Sequence, residues 1–181
     1  MIPKLSSTRL IIFDFDGVFT NNKVMVNENG LETVVCNRAD GLAIDWLNKY
    51  KNINKKTKFD FLILSQEKNS VVANRAIKLN ISYINGASNK YETLKKYFNL
   101  SENKFRELLK KSIYLGNDLN DLRMMKEVNF SVAPSDAHYL IKQTADLVLS
   151  ETGGNGFVRK FIEIMFKLDY MNYEEVINFL N

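Results

Sequence analysis

Leu10-Ile11-Ile12-Phe13-Asp14-Phe15-Asp16-Gly17-Val18 opens as a four-residue apolar run and breaks off into two acids, one residue apart, followed by a glycine. The run has the length and character of a strand buried on both faces. The acids therefore fall where a strand gives way to a loop, and Gly17 supplies the backbone freedom that a sharp reversal of the chain needs. Comparable runs recur at Phe61-Leu62-Ile63-Leu64, Ile113-Tyr114-Leu115 and Leu147-Val148-Leu149, with weaker ones at Ile81-Ser82-Tyr83-Ile84 and Phe130-Ser131-Val132. Between them, residues 41–50, 70–79, 91–98, 119–128 and 158–167 carry helical periodicity. Strand and helix alternate, which predicts an α/β fold of the Rossmann-like kind, a parallel sheet with helices on both faces. Ligands of such folds bind at the carboxyl ends of the strands. One stretch departs from the alternation: 23–26 and 31–35 are β-prone runs around Asn27-Glu28-Asn29-Gly30, and they predict a hairpin projecting from residues 23–35.

At 181 residues, 45% hydrophobic and 25% charged, the chain reads as one globular domain over 1–181. Its net charge of +4 comes from lysines scattered through Asn/Lys-rich surface segments such as 49–58, not interleaved with aromatics. That pattern argues against nucleic acid as a partner. A single cysteine, Cys36, excludes an internal disulfide, and a single histidine, His138, excludes a Cys/His zinc cluster. Reducing cytoplasm is the expected compartment. The first nine residues lack the apolar core of a signal peptide, and no run approaches the roughly 18 apolar residues of a membrane span. Cys36 is expected to be a packed thiol and His138 a cap or packing residue.

The polar residues at the ends of the apolar runs carry the chemistry. Asp14 and Asp16 follow the first run, Ser65 the second, and Gly116-Asn117-Asp118-Leu119-Asn120-Asp121 the third, while Lys90 sits in an intervening loop. Oxygen donors without sulfur suit a hard cation such as magnesium. Taken singly, each feature has a bland reading: Asp-x-Asp as a helix cap, Ser65 as a cap, Lys90 as a surface charge, Asn89-Lys90 as a helix start. Their order and placement carry more weight, because several acids gathered at one sheet edge are costly unless a cation or ligand holds them.

Asp14-Phe15-Asp16-Gly17-Val18, Ser65, Lys90 and 116–121, in that order, resemble the four signature motifs of the haloacid dehalogenase superfamily. Within it the chain is similar to the capless phosphatases of eight- and nine-carbon 2-keto-3-deoxy sugar acids, which also occur as carboxy-terminal modules of acylneuraminate cytidylyltransferases. Further residues carrying the resemblance are Val26-Asn27-Glu28-Asn29-Gly30, 36–42, Gly86-Ala87-Ser88-Asn89-Lys90, Asp136-Ala137-His138 and 153–159. The resemblance implies Asp14 as nucleophile and Asp16 as acid and then base. It implies Ser65 and Lys90 as holders of the phosphoryl oxygens, and magnesium as cofactor on Asp14, Asp16, Asn117 and Asp118. Asn117 departs from the family, where an aspartate is usual; an amide oxygen brings no charge, so weaker metal affinity is expected unless Asp118 compensates.

Only 49 positions separate Asp16 from Ser65, and the hairpin and one helix consume them, so no cap domain is expected. The resemblance implies a homotetramer with packed hairpins, and Val24, Val26, Val34 and Val35 would be edge liabilities in a lone chain. It also allows a separate cytidylyltransferase as partner. Glu67 and Arg75 resemble the sugar contacts of the nine-carbon enzymes, where eight-carbon enzymes typically show Thr-Gly-Arg. Eight residues apart on a helix, the two would lie within about 80° of each other, although a surface ion-pair helix reads almost as well. The expected substrate is thus a nine-carbon nonulosonate 9-phosphate. The alternatives are 3-deoxy-D-manno-octulosonate 8-phosphate, or a catalytically weak assembly module. Gly17, Gln66 and Asn89 are expected as further substrate contacts. The Gly153-Gly154-Asn155-Gly156 loop is expected to approach a ligand, with Arg159 pairing its carboxylate.

Overall fold

A computed structural model describes residues 2–54 and 58–180. The first apolar run forms β1 (Leu10–Phe13), and the second and third form β4 (Asp60–Leu64) and β6 (Ser112–Leu115). The weaker runs form β5 (Ser82–Ile84) and β7 (Phe130–Ala133), and the last forms β8 (Leu147–Val148). All six strands are parallel, in the order β5-β4-β1-β6-β7-β8. Successive strands step outward from β1 first to one side and then to the other. The end of β1, where Asp14 lies, is therefore the point at which the strand order reverses, and in open parallel sheets that is where a crevice forms.

Alternation along the strands divides the core between the two faces. Ile11, Phe13, Phe61, Ile63, Ile113 and Leu115 belong to one buried cluster, which helices α1 (Arg38–Ile53), α2 (Ser70–Leu79) and α7 (Phe157–Phe166) cover through Trp46, Leu47, Val72, Phe161 and Ile162. Leu10, Ile12, Leu62, Leu64 and Tyr114 belong to the other. It is covered by α3 (Lys90–Tyr97), α4 (Glu102–Leu109), α5 (Leu122–Glu127) and α6 (Tyr139–Thr144). A last helix, α8 (Tyr173–Leu180), brings Phe179 edge-on to Trp46. No helix of the described residues is long and apolar enough to cross a membrane.

Side-chain caps set the helix starts. Asn37, Asn69 and Asn89 each accept a main-chain N–H in the first turn of α1, α2 and α3, and His138 Nδ1 accepts from Leu140 at the start of α6, the capping role expected of it. Cys36 is partly buried against the core, as expected of a packed thiol. The expected helix over 119–128 is broken: Leu119–Asp121 is a 3₁₀ turn and α5 starts only at Leu122. The carboxylate of Asp121 turns back to the main-chain N–H groups of Asn117 and Asp118, which tightens the turn. The hairpin is present but short. Its strands β2 (Met25–Val26) and β3 (Glu32–Thr33) pair over two residues each, around a turn in which Gly30 has φ +75°. Between Asp16 and Ser65 the described residues hold only this hairpin, α1 and β4, so no cap covers the strand ends.

Candidate active site

Asp14 follows β1 directly, and its N–H donates to the carbonyl of Leu115 on β6. Its carboxylate lies 2.7 Å from Lys90 Nζ, which in turn lies 2.6 Å from Asp121 Oδ1. The Tyr114 hydroxyl donates to the same Asp121 oxygen at 2.6 Å. All four side chains are buried. Two carboxylates around one ammonium leave a net negative charge in a low-dielectric place. Burial above all, and then the charge of Asp121, lift the Asp14 carboxyl to about 8 against the pull of Lys90. Lys90 is held above its usual range by the two acids, which outweigh the burial that pulls the other way.

Asp16 is half-buried, and burial raises its carboxyl above the usual carboxylate range. A hydrogen bond from Thr20 opposes that rise, and the charge of Glu67 adds to it. Between the two acids the chain reverses at Gly17, which has φ +78° and lies so close to Asn117 that a Cβ would meet its side chain at 1.9 Å. No other residue fits there. Ser65 ends β4 fully buried, and its hydroxyl accepts the N–H of Glu67 at 3.1 Å, turning the loop toward the cleft.

Asp14, Asp16, Ser65, Gln66, Glu67, Asn117 and Asp118 line one open cleft of about 290 Å³, together with Asn22 and Asn120. A second recess of about 210 Å³ adjoins it through Asp16, Asn22 and Glu67 and runs under the hairpin past Lys23, Glu32 and Asn69. Glu32 accepts a hydrogen bond from Asn69, tying the hairpin to the start of α2. Asp118 faces the mouth while its carboxylate caps the turn at Leu119.

The donor set can be tested against a cation. Asn117 Oδ1 is buried and accepts no hydrogen bond, a costly arrangement for a carbonyl oxygen unless an electron-poor group meets it. Among the described residues no three acidic, histidine or cysteine side chains converge on one point. The centre offers two carboxylates and an amide oxygen, which suits magnesium: it keeps several waters and takes one or two carboxylates plus a phosphate.

Four expectations need correction. Glu67 and Arg75 share no helix face, because Asn69 caps α2 and the helix begins only at Ser70. Glu67 lies in the loop on the cleft, whereas Arg75 lies beneath α1 and donates to the carbonyl of Asn37 at 3.2 Å. Arg159 is likewise turned away from the cleft; its guanidinium stacks 4.2 Å from the centre of the Trp46 ring and pairs with Glu163. The Gly153-Gly154 loop does approach something closely, but that something is the catalytic loop itself. A Cβ on Gly153 would meet the carbonyl oxygen of Gly17 at 2.1 Å, and Gly154 N–H donates to Val18. Asn89 spends its side-chain oxygen on capping α3 and borders a neighbouring cleft with Lys90 and Arg123. Tyr114, Thr20 and Asn22 join the centre without having been singled out from the sequence, and Asp121 joins it after being read only as part of the 116–121 motif, with no role assigned. Only Asp121 carried a signal, as the acid four positions beyond Asn117.

Known proteins agree with this architecture. A family model of haloacid dehalogenase-like hydrolases matches residues 43–161. The chain is 31% identical over 173 residues to the 3-deoxy-D-manno-octulosonate 8-phosphate phosphatase KdsC of Escherichia coli strain K12, covering 91% of this chain and 82% of that protein. Among solved structures, a HAD family hydrolase from Streptomyces avermitilis superposes with a TM-score of 0.80 at 32% identity, covering 97% of this chain and 95% of that one. The 3-deoxy-D-manno-octulosonate 8-phosphate phosphatase of Moraxella catarrhalis, solved with magnesium, phosphate and KDO, superposes with a TM-score of 0.76 at 25% identity, covering 90% and 88%. With its sheet, its strand-end acids and this similarity along nearly its whole length, the chain belongs to the haloacid dehalogenase-like hydrolases.

Proposed function

We propose that this haloacid dehalogenase-like phosphatase removes the phosphate of a 2-keto-3-deoxy sugar acid, with 3-deoxy-D-manno-octulosonate 8-phosphate as its substrate and magnesium as its cofactor. The observation that carries the chemistry is the contact of Asp14 with Lys90 at 2.7 Å, at the floor of a cleft that Asp16 and Ser65 also line. The identity of the sugar rests on the similarity to the eight-carbon phosphatases.

The Asp14 carboxylate attacks phosphorus opposite the sugar oxygen. The bond from phosphorus to that oxygen breaks, and Asp16 gives its proton to the departing alkoxide. Burial raises the Asp16 carboxyl above the usual carboxylate range, a shift in the direction that favours its acid form. A water then attacks the aspartyl-phosphate as Asp16 takes one of its protons; the Asp14–phosphorus bond breaks, and inorganic phosphate leaves. Ser65 Oγ and Lys90 Nζ hold the phosphoryl oxygens through both displacements. Asp14, the main-chain carbonyl of Asp16, Asn117 and Asp118 would hold magnesium, which would supply neutralisation of the charge gathered on the phosphoryl group. Asp121 keeps Lys90 aimed at Asp14 by sharing its ammonium.

A nine-carbon 9-phosphate is the second reading, and it is favoured by one feature. Glu67 stands at the junction of the cleft and the recess, where an extended polyhydroxyl chain would pass. Phosphate release from both esters and from simple hexose phosphates, with magnesium and with Asp14→Asn as blank, separates the readings. The expected result is fastest turnover of the eight-carbon ester and none by Asp14→Asn. Preference for the nine-carbon ester would transfer the assignment to it, and no turnover of any ester would leave an assembly module.

A further inference from the structure

Thr20 lies four residues beyond Asp16, fully buried. Its hydroxyl is within hydrogen-bond reach of three groups: the main-chain N–H of Gly17 at 3.3 Å, the N–H of Asn22 at 3.2 Å and Asp16 Oδ1 at 3.3 Å. A threonine hydroxyl owns one proton and two lone pairs. The two N–H groups have only donors to offer, so they take both lone pairs. The single proton is then left for Asp16 Oδ1, and the direction of that bond is fixed.

The backbone that carries the hydroxyl is also fixed. Thr20 forms an antiparallel bridge with Cys36, at the far end of the hairpin. On its other side Gly154 packs so closely that a Cβ there would meet the Thr20 carbonyl carbon at 2.3 Å. Gly154 N–H donates to Val18, and Gly153 N–H donates to Asp136 at 3.0 Å, which ties this second wall to the loop after β7. The glycine pair is thereby given a role: it lets one loop press directly against the segment that holds Thr20.

We propose that Thr20 is a positioning residue for Asp16: its hydroxyl occupies Oδ1 as a hydrogen-bond acceptor, so that Oδ2 is the oxygen that passes the proton to the departing alkoxide. The inference rests on the reading of Asp16 as the acid of the first displacement. It adds the residue that orients that acid and the choice of oxygen.

Leaving-group dependence tests it, because an alkoxide needs a proton as it departs and 4-nitrophenolate does not. The kcat/KM value reports the steps up to that departure. The measurement is the ratio of kcat/KM for the sugar-acid phosphate turned over fastest to kcat/KM for 4-nitrophenyl phosphate, with magnesium, in the wild type, Thr20→Val, Thr20→Ser and Asp16→Asn. A misplaced general acid forfeits part of its usual 10²- to 10⁴-fold contribution, so Thr20→Val is expected to lower the ratio about tenfold, and Asp16→Asn to lower it further. Thr20→Ser, which keeps the hydroxyl, is expected to hold the ratio within about twofold of the wild type. A merely structural threonine would depress both esters alike and leave the ratio unchanged in Thr20→Val, which overturns the proposal. A low ratio in Thr20→Ser overturns it too, and needs no folded valine variant. An unchanged ratio in Asp16→Asn removes the acid role of Asp16 itself, a failure distinct from that of Thr20.

Discussion

Lys90 is tolerated in the interior because two carboxylates meet it, and they are tolerated because it is there. Breaking such a set strands a charge and costs about 3–5 kcal/mol. Asp40 is a second buried acid, with a weaker set of partners. Its Oδ1 accepts the N–H of Arg159 at 2.8 Å, while Oδ2 has no hydrogen-bond partner. Burial lifts its carboxyl to about 6, against main-chain hydrogen bonds from Arg159 and Gly156 and the charges of Arg75 and Arg159. The folded chain therefore keeps a proton between about pH 4 and pH 6 that the unfolded chain has already lost. Stability falls as pH rises through that window, by at most roughly 3 kcal/mol. Asp40→Asn is expected to abolish this decline, so that denaturant unfolding gives a variant-minus-wild-type difference that grows in the variant's favour from pH 4 to pH 6.5. Parallel pH profiles would contradict it. Asp14, Asp16 and Ser65 were legible in the sequence because each follows an apolar run that locates a strand end; Lys90, which opens α3 and does not lie in a loop, was legible only through its place in the order of the motifs. Thr20 and Tyr114 were not, since their importance lies in which atoms fold against them. Arg75 and Arg159 read as ligand contacts because an arginine's partner, here the Asn37 carbonyl or the Trp46 ring, is not written beside it.

At the level of elements, apolar runs located all six sheet strands: β1, β4, β6 and β7 because strands buried on both faces leave nearly unbroken signatures, and the shorter, partly exposed edge strands β5 and β8 by runs of their own. The helices were less visible where they are short. α4 buries only Phe105 and Leu109, and α6 only Ile141, too few positions to show a period. The hairpin was legible from Asn27-Glu28-Asn29-Gly30, yet it pairs over just two residues a side and leaves Val24, Met25, Val26, Leu31 and Val35 half or more exposed. Apolar side chains so gathered on a short, open-edged hairpin are what the homotetramer implied by the family resemblance would use as its association surface. The proposed homotetramer would bury them beside the uncapped cleft and exclude water there. Val26→Lys, placed on the exposed strand away from the cleft residues, is expected to convert the tetramer to single chains, read as mass by light scattering. A wild-type chain already alone in solution would contradict the proposal.

For the molecule as a whole, the reversal of strand order at β1 gathers the ends of β1, β4 and β6 and the start of α3 around one point. Nothing in the described residues lies over that point as a cap, which leaves the phosphate end of the site built by one sheet edge. In the proposed function, the sugar end would fall to the hairpin recess. Substrate preference was accordingly the least legible property: it depends on a loop residue, Glu67, and on surfaces that a motif does not spell out. The phosphoryl chemistry, in contrast, is concentrated in Asp14. The most direct test is to mix the magnesium-loaded enzyme with radiolabelled sugar-acid phosphate, quench with acid within a turnover, and map the label by peptide mass spectrometry. Acid-stable label on the peptide carrying Asp14, absent from Asp14→Asn and chased to inorganic phosphate by unlabelled substrate, is the predicted result. Phosphate released at full rate with no labelled enzyme at any quench time would contradict the covalent mechanism.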